Sequence, residues 1–206
     1  MEDHHAWKQY PQHRNWFNKL WVSEKFGYEC GPCGLAPDKS DNYIVRPIYN
    51  LSGMGVGAKF THIEAGDATK VPPGYFWQEI LTGKHYSVTY KVDDIFVPVS
   101  SYEGIHVEEE LWRFDRWIKS DYYPSLPSTL SQLLDVGIIN VEFKDSNPIE
   151  VHLRGTSDPQ YEEIIPIWSD RRFEVDKYLK IGYSYINSPD DADEFLQVPR
   201  IGFMVK

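Results

Sequence analysis

The sequence contains few cysteines, few basic residues and no long apolar run. Lysine and arginine total 21 against 31 acidic residues, which gives a net charge of −10. That charge argues against non-specific nucleic-acid binding, which needs a basic surface to replace counterions. No stretch of about 18 apolar residues is present, so we expect no membrane span. The polar N-terminal residues include no apolar signal region, and we expect a cytoplasmic protein.

The only two cysteines form the sequence Cys30-Gly31-Pro32-Cys33, which has the spacing of thioredoxin-type redox sites. Gly34, Pro37 and a polar run follow. That composition is typical of a loop and not of a helix whose dipole would lower a thiol pKa. Zinc would need two further ligands, and no cysteine or histidine pair follows at zinc-finger spacing. We therefore interpret the motif as a tight turn between elements.

The rest of the composition is that of a folded protein. The 206 residues are 41% hydrophobic and 15% aromatic, enough for one domain or two small lobes. Helical spacing predicts helices at 16–26, 108–118 and 128–136. Alternation and apolar runs predict strands at 43–46, 58–63, 75–81, 85–90, 95–99, 138–143 and 149–154. Short strands are expected in the tail, 178–205. Without regular βαβ alternation, this order indicates the α+β class.

The last two of these strands predict a hairpin with paired carboxylates on one face. Folding residues 138–143 and 149–154 about Ser146 sets Glu142 opposite Glu150 and Asn140 opposite His152, because side chains alternate faces along a strand. The opposite face is apolar. Two facing carboxylates repel, unless a divalent cation lies between them. The alternative is that the polar face is only the solvated side of a sheet.

A glycine-rich loop is the second candidate site. Gly53, Gly55 and Gly57 would let backbone N–H groups approach phosphate oxygens, with Arg46 before the loop and Lys59 after it. The loop is not a P-loop, since no Gly-Lys-Ser/Thr sequence ends it. It is not a dinucleotide fingerprint, since a strand follows it. The alternative is an ordinary flexible hairpin tip.

The order of these motifs resembles that of the ATP-grasp family between residues 43 and 154. Ile44-Val45-Arg46-Pro47 and Ser52-Gly53-Met54-Gly55-Val56-Gly57 are similar to the family's basic strand and phosphate loop. The segment 76–88 is similar to its hinge strand and the strand that follows. Glu142 and Glu150-Val151-His152-Leu153-Arg154 are similar to its metal-binding pair of strands.

The resemblance implies an ATP-grasp-like α+β fold with two small lobes whose antiparallel sheets enclose a nucleotide. Residues 1–80 would form the small lobe with the phosphate loop, and 81–206 the larger lobe with the metal-binding hairpin. The implied activity is an ATP- and Mg²⁺-dependent ligase. It activates a carboxylate as an acyl phosphate, which an amine or similar nucleophile then attacks.

The resemblance also assigns roles to residues. Glu142, Glu150 and His152 would hold Mg²⁺, while Arg154 and Arg46 would act in catalysis by stabilising phosphoryl oxygens. The implied ATP-binding residues are Arg46, Ser52, Gly53, Met54, Gly55, Lys59, Gln78, Glu79, Ile80 and Leu81.

The sequence departs from the family pattern in three places. Arg46 replaces the usual lysine, His152 replaces the usual asparagine, and Lys84-His85 replaces an acidic residue. The chain also begins almost directly with the ATP-binding lobes. Three alternatives fit this pattern: a compact stand-alone ligase, a subunit of a larger assembly in which another protein supplies the acceptor-binding domain, or an inactive relative.

Two other classes of function stay open at the sequence level. One is a non-catalytic nucleotide-binding or interaction module whose seven tryptophans supply a recognition surface. The other is a metal-dependent hydrolase that uses Glu142, Glu150 and His152. A cluster of His62, His85, His106 and His152 would be its sign.

Overall fold

The computed structural model describes residues 2–51, 55–107, 110–188 and 198–206. Its α-helices are α1 (Asp3–Gln9), α2 (Lys19–Lys25) and α3 (Val175–Lys180). The 3₁₀ helices of these ranges span Pro11–Phe17, Ser128–Leu133 and Ser169–Glu174. No helix in the described ranges is long and apolar enough to cross a membrane.

Within the described residues, twelve strands form two antiparallel sheets, which confirms the predicted α+β class. The strands are β1 (Cys30–Pro32), β2 (Asp41–Pro47), β3 (Lys59–Ile63), β4 (Tyr75–Glu79), β5 (His85–Val92), β6 (Phe96–His106), β7 (Phe114–Lys119), β8 (Ile138–Lys144), β9 (Asn147–His152), β10 (Glu163–Trp168), β11 (Ser184–Asn187) and β12 (Arg200–Val205). The small sheet has the order β1-β4-β2-β3, and the large sheet has the order β11-β12-β10-β7-β6-β5-β8-β9.

The large sheet buries one face under the N-terminal helical segment. Val88, Val141 and Val151 of adjacent strands pack with Trp16 and Val22 in one apolar core. On the other face, His85, Asn140, Glu142 and their neighbours line a cleft. Alternation along the strands thus separates core from cleft, as the pattern of the hairpin predicts.

The small sheet has its own core. Tyr43 and Trp77 pack edge to face, with ring centroids 4.9 Å apart. Residues 80–84 then lead from β4 to β5, the first strand of the large sheet. The division of the chain into lobes at residue 80 stays a prediction. Residues of the N-terminal helices belong to the core of the large sheet.

The hairpin of β8 and β9 has the register that the sequence predicts. Glu142 pairs with Glu150, and Asn140 pairs with His152. A bulge after Glu142 is the one difference, because Phe143 pairs with Pro148 and Ile149 is left as the extra residue. Ile149 therefore lines the cleft instead of joining the apolar face.

Three predicted helices and the predicted turn differ from the structure. The helix predicted at 108–118 is absent from its described part, 110–118, since Phe114–Lys119 is the central strand β7, paired on both sides; residues 108 and 109 lie outside the described residues. Residues 16–26 are divided at Asn18, whose side chain caps α2 by accepting from the Trp21 N–H. Residues 128–136 form only a short 3₁₀ helix. The predicted turn at Cys30 is instead strand β1, paired with β4.

Candidate functional site

A cleft of about 740 Å³ lies between the two sheets. The small sheet contributes Arg46 and Gln78, and the connection between the sheets contributes Ile80 and Leu81. The cleft face of the large sheet contributes the paired carboxylates of the hairpin. Gly55 lies against the other side of the cleft, since a Cβ there would meet the backbone and Cβ of Trp112 at 3.6 Å. The glycine-rich loop thus reaches the segment between β6 and β7.

Glu142 is held by two histidines. Its Oε2 lies 3.2 Å from Nε2 of His85, and its Oε1 lies 3.5 Å from Nε2 of His152. Burial alone would raise the pKa of Glu142, but hydrogen bonds from His152 and His85 and their charge hold that pKa well below its usual range. Glu142 is therefore a carboxylate at neutral pH.

Glu150 is held by a lysine and an arginine. Its Oε1 accepts from Nζ of Lys19 at 2.5 Å and from Nη1 of Arg46 at 3.1 Å. Lys19 is the first residue of α2, so the N-terminal helical segment supplies part of the site. Arg46 also donates to Oε1 of Gln78 at 3.0 Å and to the carbonyl of Ile149 at 3.3 Å. Burial lowers the pKa of Arg46, while the charges of Glu150 and Glu142 act to raise it.

His152 is fixed by Asp3 from the start of α1. Nδ1 of His152 lies 2.9 Å from Oδ2 of Asp3, and its Nε2 faces both glutamates, 3.7 Å from Oε2 of Glu150. Burial by itself would lower the pKa of His152, but the charge of Asp3 and hydrogen bonds with Asp3 and Glu142 raise it to about 10. His152 is therefore an imidazolium at neutral pH, with both ring nitrogens donating.

Asp3 also holds Arg154. Nε of Arg154 donates to Oδ1 of Asp3 at 2.8 Å, and Nη1 donates to the carbonyl of Gly155 at 3.1 Å. Burial alone would raise the pKa of Asp3, but the charges and hydrogen bonds of His152 and Arg154 hold it below its usual range. One buried carboxylate thus positions two residues that the sequence assigns to the site.

The two glutamates suit a magnesium ion, whereas His152 in this arrangement does not. Ligand atoms of Glu142, Glu150 and His152 lie within 4.8 Å of one another, and they are the only such group found in the described ranges. Carboxylate oxygens are the ligands that Mg²⁺ takes together with substrate phosphates. An imidazolium has no free lone pair and could bind a metal only after losing a proton. With His152, Lys19 and Arg46 against them, the two carboxylates lie in a locally positive setting that suits a polyphosphate.

The structure brings most of the predicted ATP-binding residues together. Of the described residues, those that line the cleft are Arg46, Gly55, Gln78, Glu79, Ile80 and Leu81. Lys59 is exposed on β3 and is not among the described residues that line the cleft, so its assignment stays a prediction. Ser52, Gly53 and Met54 lie outside the described residues.

Aromatic rings cover the cleft beside His85. The rings of His106 and Trp117 each lie 4.1 Å from that of Phe114, tilted by 32°. Gly104 makes room for them, since a Cβ there would meet Phe114 at 2.6 Å and Trp117 at 2.7 Å. Burial and the charge of His85 lower the pKa of His106 to about 4, so its ring is neutral.

The four histidines of the hydrolase alternative do not form one cluster. His85, His106 and His152 line the cleft, but His62 is exposed on β3 beside Glu64. Only His152 lies with both glutamates within metal-binding range. Both cysteines are free, and burial followed by the charge of Glu24 raises the pKa of Cys30 to about 11, which disfavours the reactive thiolate.

The motifs do not predict all the charged residues of the cleft and its surroundings, and Asp3, Lys19 and Lys144 are among those missed. Asp3 and Lys19 lie 149 and 131 residues from their partners His152 and Glu150, and no local pattern could indicate them. Lys144 could have been predicted, because it continues the alternation of Asn140 and Glu142 on the cleft face of β8. Burial lowers its pKa, against the charges of Glu142 and Asp145.

Comparison with known proteins gives structural matches only. No family model matches the sequence, and no curated protein does. A carboxyaminoimidazole ribonucleotide synthase from Aspergillus clavatus, solved with ATP, matches 98% of this chain and 73% of its own, at a TM-score of 0.57 and 10% identity. An N5-carboxyaminoimidazole synthetase from Staphylococcus aureus, solved with ADP, matches 93% and 67% respectively, at a TM-score of 0.57 and 11% identity. The chain has the ATP-grasp fold.

At 10–11% sequence identity, these structural matches establish the fold of the chain but not its activity. A protein from Archaeoglobus fulgidus that is described as an ATP-grasp superfamily member matches 69% of this chain, at a TM-score of 0.43 and 15% identity. The chain spans about half of it, 47%. The ATP-grasp resemblance of the sequence covers residues 43–154, whereas the structural match to the Aspergillus enzyme extends over nearly the whole chain.

Proposed function

We propose that the protein is an ATP-dependent ligase that activates a carboxylate as an acyl phosphate for attack by an amine or similar nucleophile. The observation that carries the proposal is the facing pair Glu142 and Glu150, set in the cleft among three cationic groups. The fold adds support, because two structural neighbours were solved with ATP or ADP.

The nucleotide would lie along the large sheet, with adenine at the connection between the sheets. Backbone groups of 79–81 would bind the base, as Ile80 and Leu81 line that end of the cleft. Gly55 and its neighbours would close over the phosphates and exclude water. Arg46 would share its guanidinium between Glu150 and a phosphate oxygen, which its several N–H donors allow.

Glu142 and Glu150 would hold Mg²⁺, which when bound neutralises phosphate charge and orients the phosphates. Arg154 would stabilise charge on the transferring phosphoryl group or the acyl phosphate, with Asp3 fixing its orientation. A carboxylate oxygen of the substrate attacks the γ-phosphorus, and the bond from that phosphorus to the bridging oxygen breaks to release ADP. The nucleophile then attacks the acyl carbon, and inorganic phosphate leaves.

The acceptor would enter beyond Arg154, where the cleft continues past Thr156 and Ser157. A second protein that supplies more of the acceptor-binding surface is part of this proposal. Specificity for the carboxylate would then be shared between this end of the cleft and that partner.

Trapping with hydroxylamine tests the proposed activity. The protein is incubated with Mg·ATP and a panel of carboxylic acids, and hydroxamate and ADP are measured together. We expect equimolar hydroxamate and ADP with at least one acid, and neither product from Arg154→Gln. Formation of AMP and pyrophosphate in place of ADP would contradict the acyl-phosphate route.

A non-catalytic nucleotide-binding module is the second candidate. It is favoured by the ion pairs that already engage Arg154, His152 and Glu150. Tight Mg·ATP binding without ADP formation across the whole acid panel would support this candidate over the ligase.

A further inference from the structure

Lys144 differs from the other cations of the cleft. In the described part of the chain, five basic residues line it, namely Lys19, Arg46, Lys144, Arg154 and Arg200. Four of these have a carboxylate partner within 4.0 Å: Glu150 for Lys19 and Arg46, Asp3 for Arg154 and Asp158 for Arg200. Among the described residues, Lys144 has no ion pair and no hydrogen bond to its side chain, although it is partly buried.

The position of Lys144 is set by the large sheet. It pairs with His85 of β5, and it follows Glu142 by two residues, so both face the cleft. Two residues of a strand span about 6.6 Å. The next residue, Asp145, accepts from the backbone N–H of Lys84 through Oδ1 at 2.9 Å. Lys144 therefore stands between the carboxylate pair and the connection 80–84.

The position of Lys144 is where the proposed nucleotide would place its innermost phosphate. If Glu142 and Glu150 hold the metal at the outer phosphates and residues 79–81 hold the base, the phosphate nearest the nucleoside lies between them. A partly buried ammonium without a carboxylate partner suits a phosphate oxygen, because a charge-assisted hydrogen bond is stronger than a neutral one. Where the cleft excludes water, solvent does not compete with the phosphate for the ammonium group of Lys144.

We infer that Lys144 binds the phosphate group adjoining the nucleoside and thereby makes the cleft select nucleotides over nucleosides. The inference rests on the proposed function, since it takes the cleft as a nucleotide site. It adds a residue that the family-like motifs do not include. Lys144 should therefore contribute to the affinity for ATP, ADP and AMP, which all carry that phosphate, and not to the affinity for adenosine, which lacks it.

Titration calorimetry of the whole chain with ATP, ADP, AMP and adenosine, each with Mg²⁺, tests the inference. In Lys144→Gln we expect roughly tenfold or greater weakening for the three nucleotides and less than twofold change for adenosine. Lys144→Arg should restore most of the affinity. Lys91→Gln is the matched control, as Lys91 is exposed on the neighbouring strand and is not among the described residues that line the cleft.

The outcomes separate this inference from the function on which it rests. Unchanged ATP affinity in Lys144→Gln, with the parent protein binding normally, would overturn the role of Lys144 alone. Equal weakening of adenosine and nucleotides would also overturn it, because Lys144 would then act on the base or the fold. A parent protein that binds none of the nucleotides would overturn the proposed function and this inference together.

Discussion

Asp3 joins the start of the chain to the chemistry of the cleft. Asp3 is 4% exposed, and its carboxylate contacts both His152 and Arg154 within 3 Å. Removing one partner of a buried ion pair leaves an uncompensated charge, which is costlier than losing a surface pair. We therefore regard Asp3 as a positioning residue whose loss affects folding and Arg154 together.

Asp3→Asn should lower the free energy of unfolding by about 3 kcal/mol, the usual cost of breaking a buried pair. Urea denaturation measures the change. Asp135→Asn is the control, because Asp135 pairs with His13 but its side chain is 56% exposed, and such a pair contributes about 1 kcal/mol or less. Equal effects of the two substitutions would contradict the buried network.

The pKa of His152 gives a pH dependence of stability. Its pKa in the folded protein, about 10, is above the ordinary histidine value of about 6.5. The stabilisation from this group is therefore fully present below pH 6.5 and is lost as pH rises toward 10. Unfolding of the parent protein in chelator should show this decline, and Asp3→Asn should flatten it. A parent protein with constant stability from pH 6.5 to 9 would rule out the raised pKa.

The hairpin of β8 and β9 combines a carboxylate pair with a positive setting. Facing carboxylates repel, and the sequence alone suggests that a cation between them relieves the repulsion. In the structure, His85 and His152 hold Glu142, while Lys19 and Arg46 hold Glu150. These partners stabilise the hairpin without a metal ion, and they weaken its attraction for a free cation.

Mg²⁺ alone should therefore have little effect on the protein. We expect a change in melting temperature below about 1 °C at millimolar Mg²⁺ without nucleotide, because three cationic groups oppose the ion. Calorimetric titration with Mg²⁺ alone should likewise give no saturable heat. Submicromolar Mg²⁺ binding to the apo protein would show that the carboxylates form a pre-built metal site.

The elements differ in how well the sequence predicts them. The hairpin register follows from strict alternation around one turn, and Glu142 faces Glu150 as predicted. The predicted helix at 108–118 is wrong over its described part, 110–118: large apolar residues at 111, 114, 117 and 118 fit a helical spacing, but pairing with β6 and β10 makes 114–119 a strand. Pairing with strands that are distant in the sequence determines the conformation of residues 114–119, and the local sequence pattern does not indicate that pairing.

The residues of the candidate site likewise divide into those that local motifs predict and those that only long-range packing brings to the cleft. Glu142, Glu150, Arg154 and the segment 78–81 follow from local motifs in a fixed order. Asp3 and Lys19 reach the site because the N-terminal helical segment packs near the hairpin, a contact that depends on the whole fold. The imidazolium state of His152 depends on its contact with Asp3, so the sequence alone could not predict it either.

The molecule as a whole is acidic, but its cleft is not. The chain carries a net charge of −10, whereas five basic and six acidic residues of the described ranges line the cleft. With His152 protonated, the cleft is close to charge balance. The net negative charge disfavours non-specific nucleic-acid binding, while the cations of the cleft favour a small polyphosphate that brings its own metal ion.

The melting temperature in ATP with Mg²⁺, compared with ATP plus a chelator, tests the central claim most directly. A ligand at a hundred times its dissociation constant stabilises the fold by about 2.7 kcal/mol. For a chain of this size that corresponds to a rise of roughly 5–10 °C. We predict this rise with Mg·ATP and a much smaller one with chelator. An unchanged melting temperature in saturating Mg·ATP would contradict the assignment of the cleft as an ATP site.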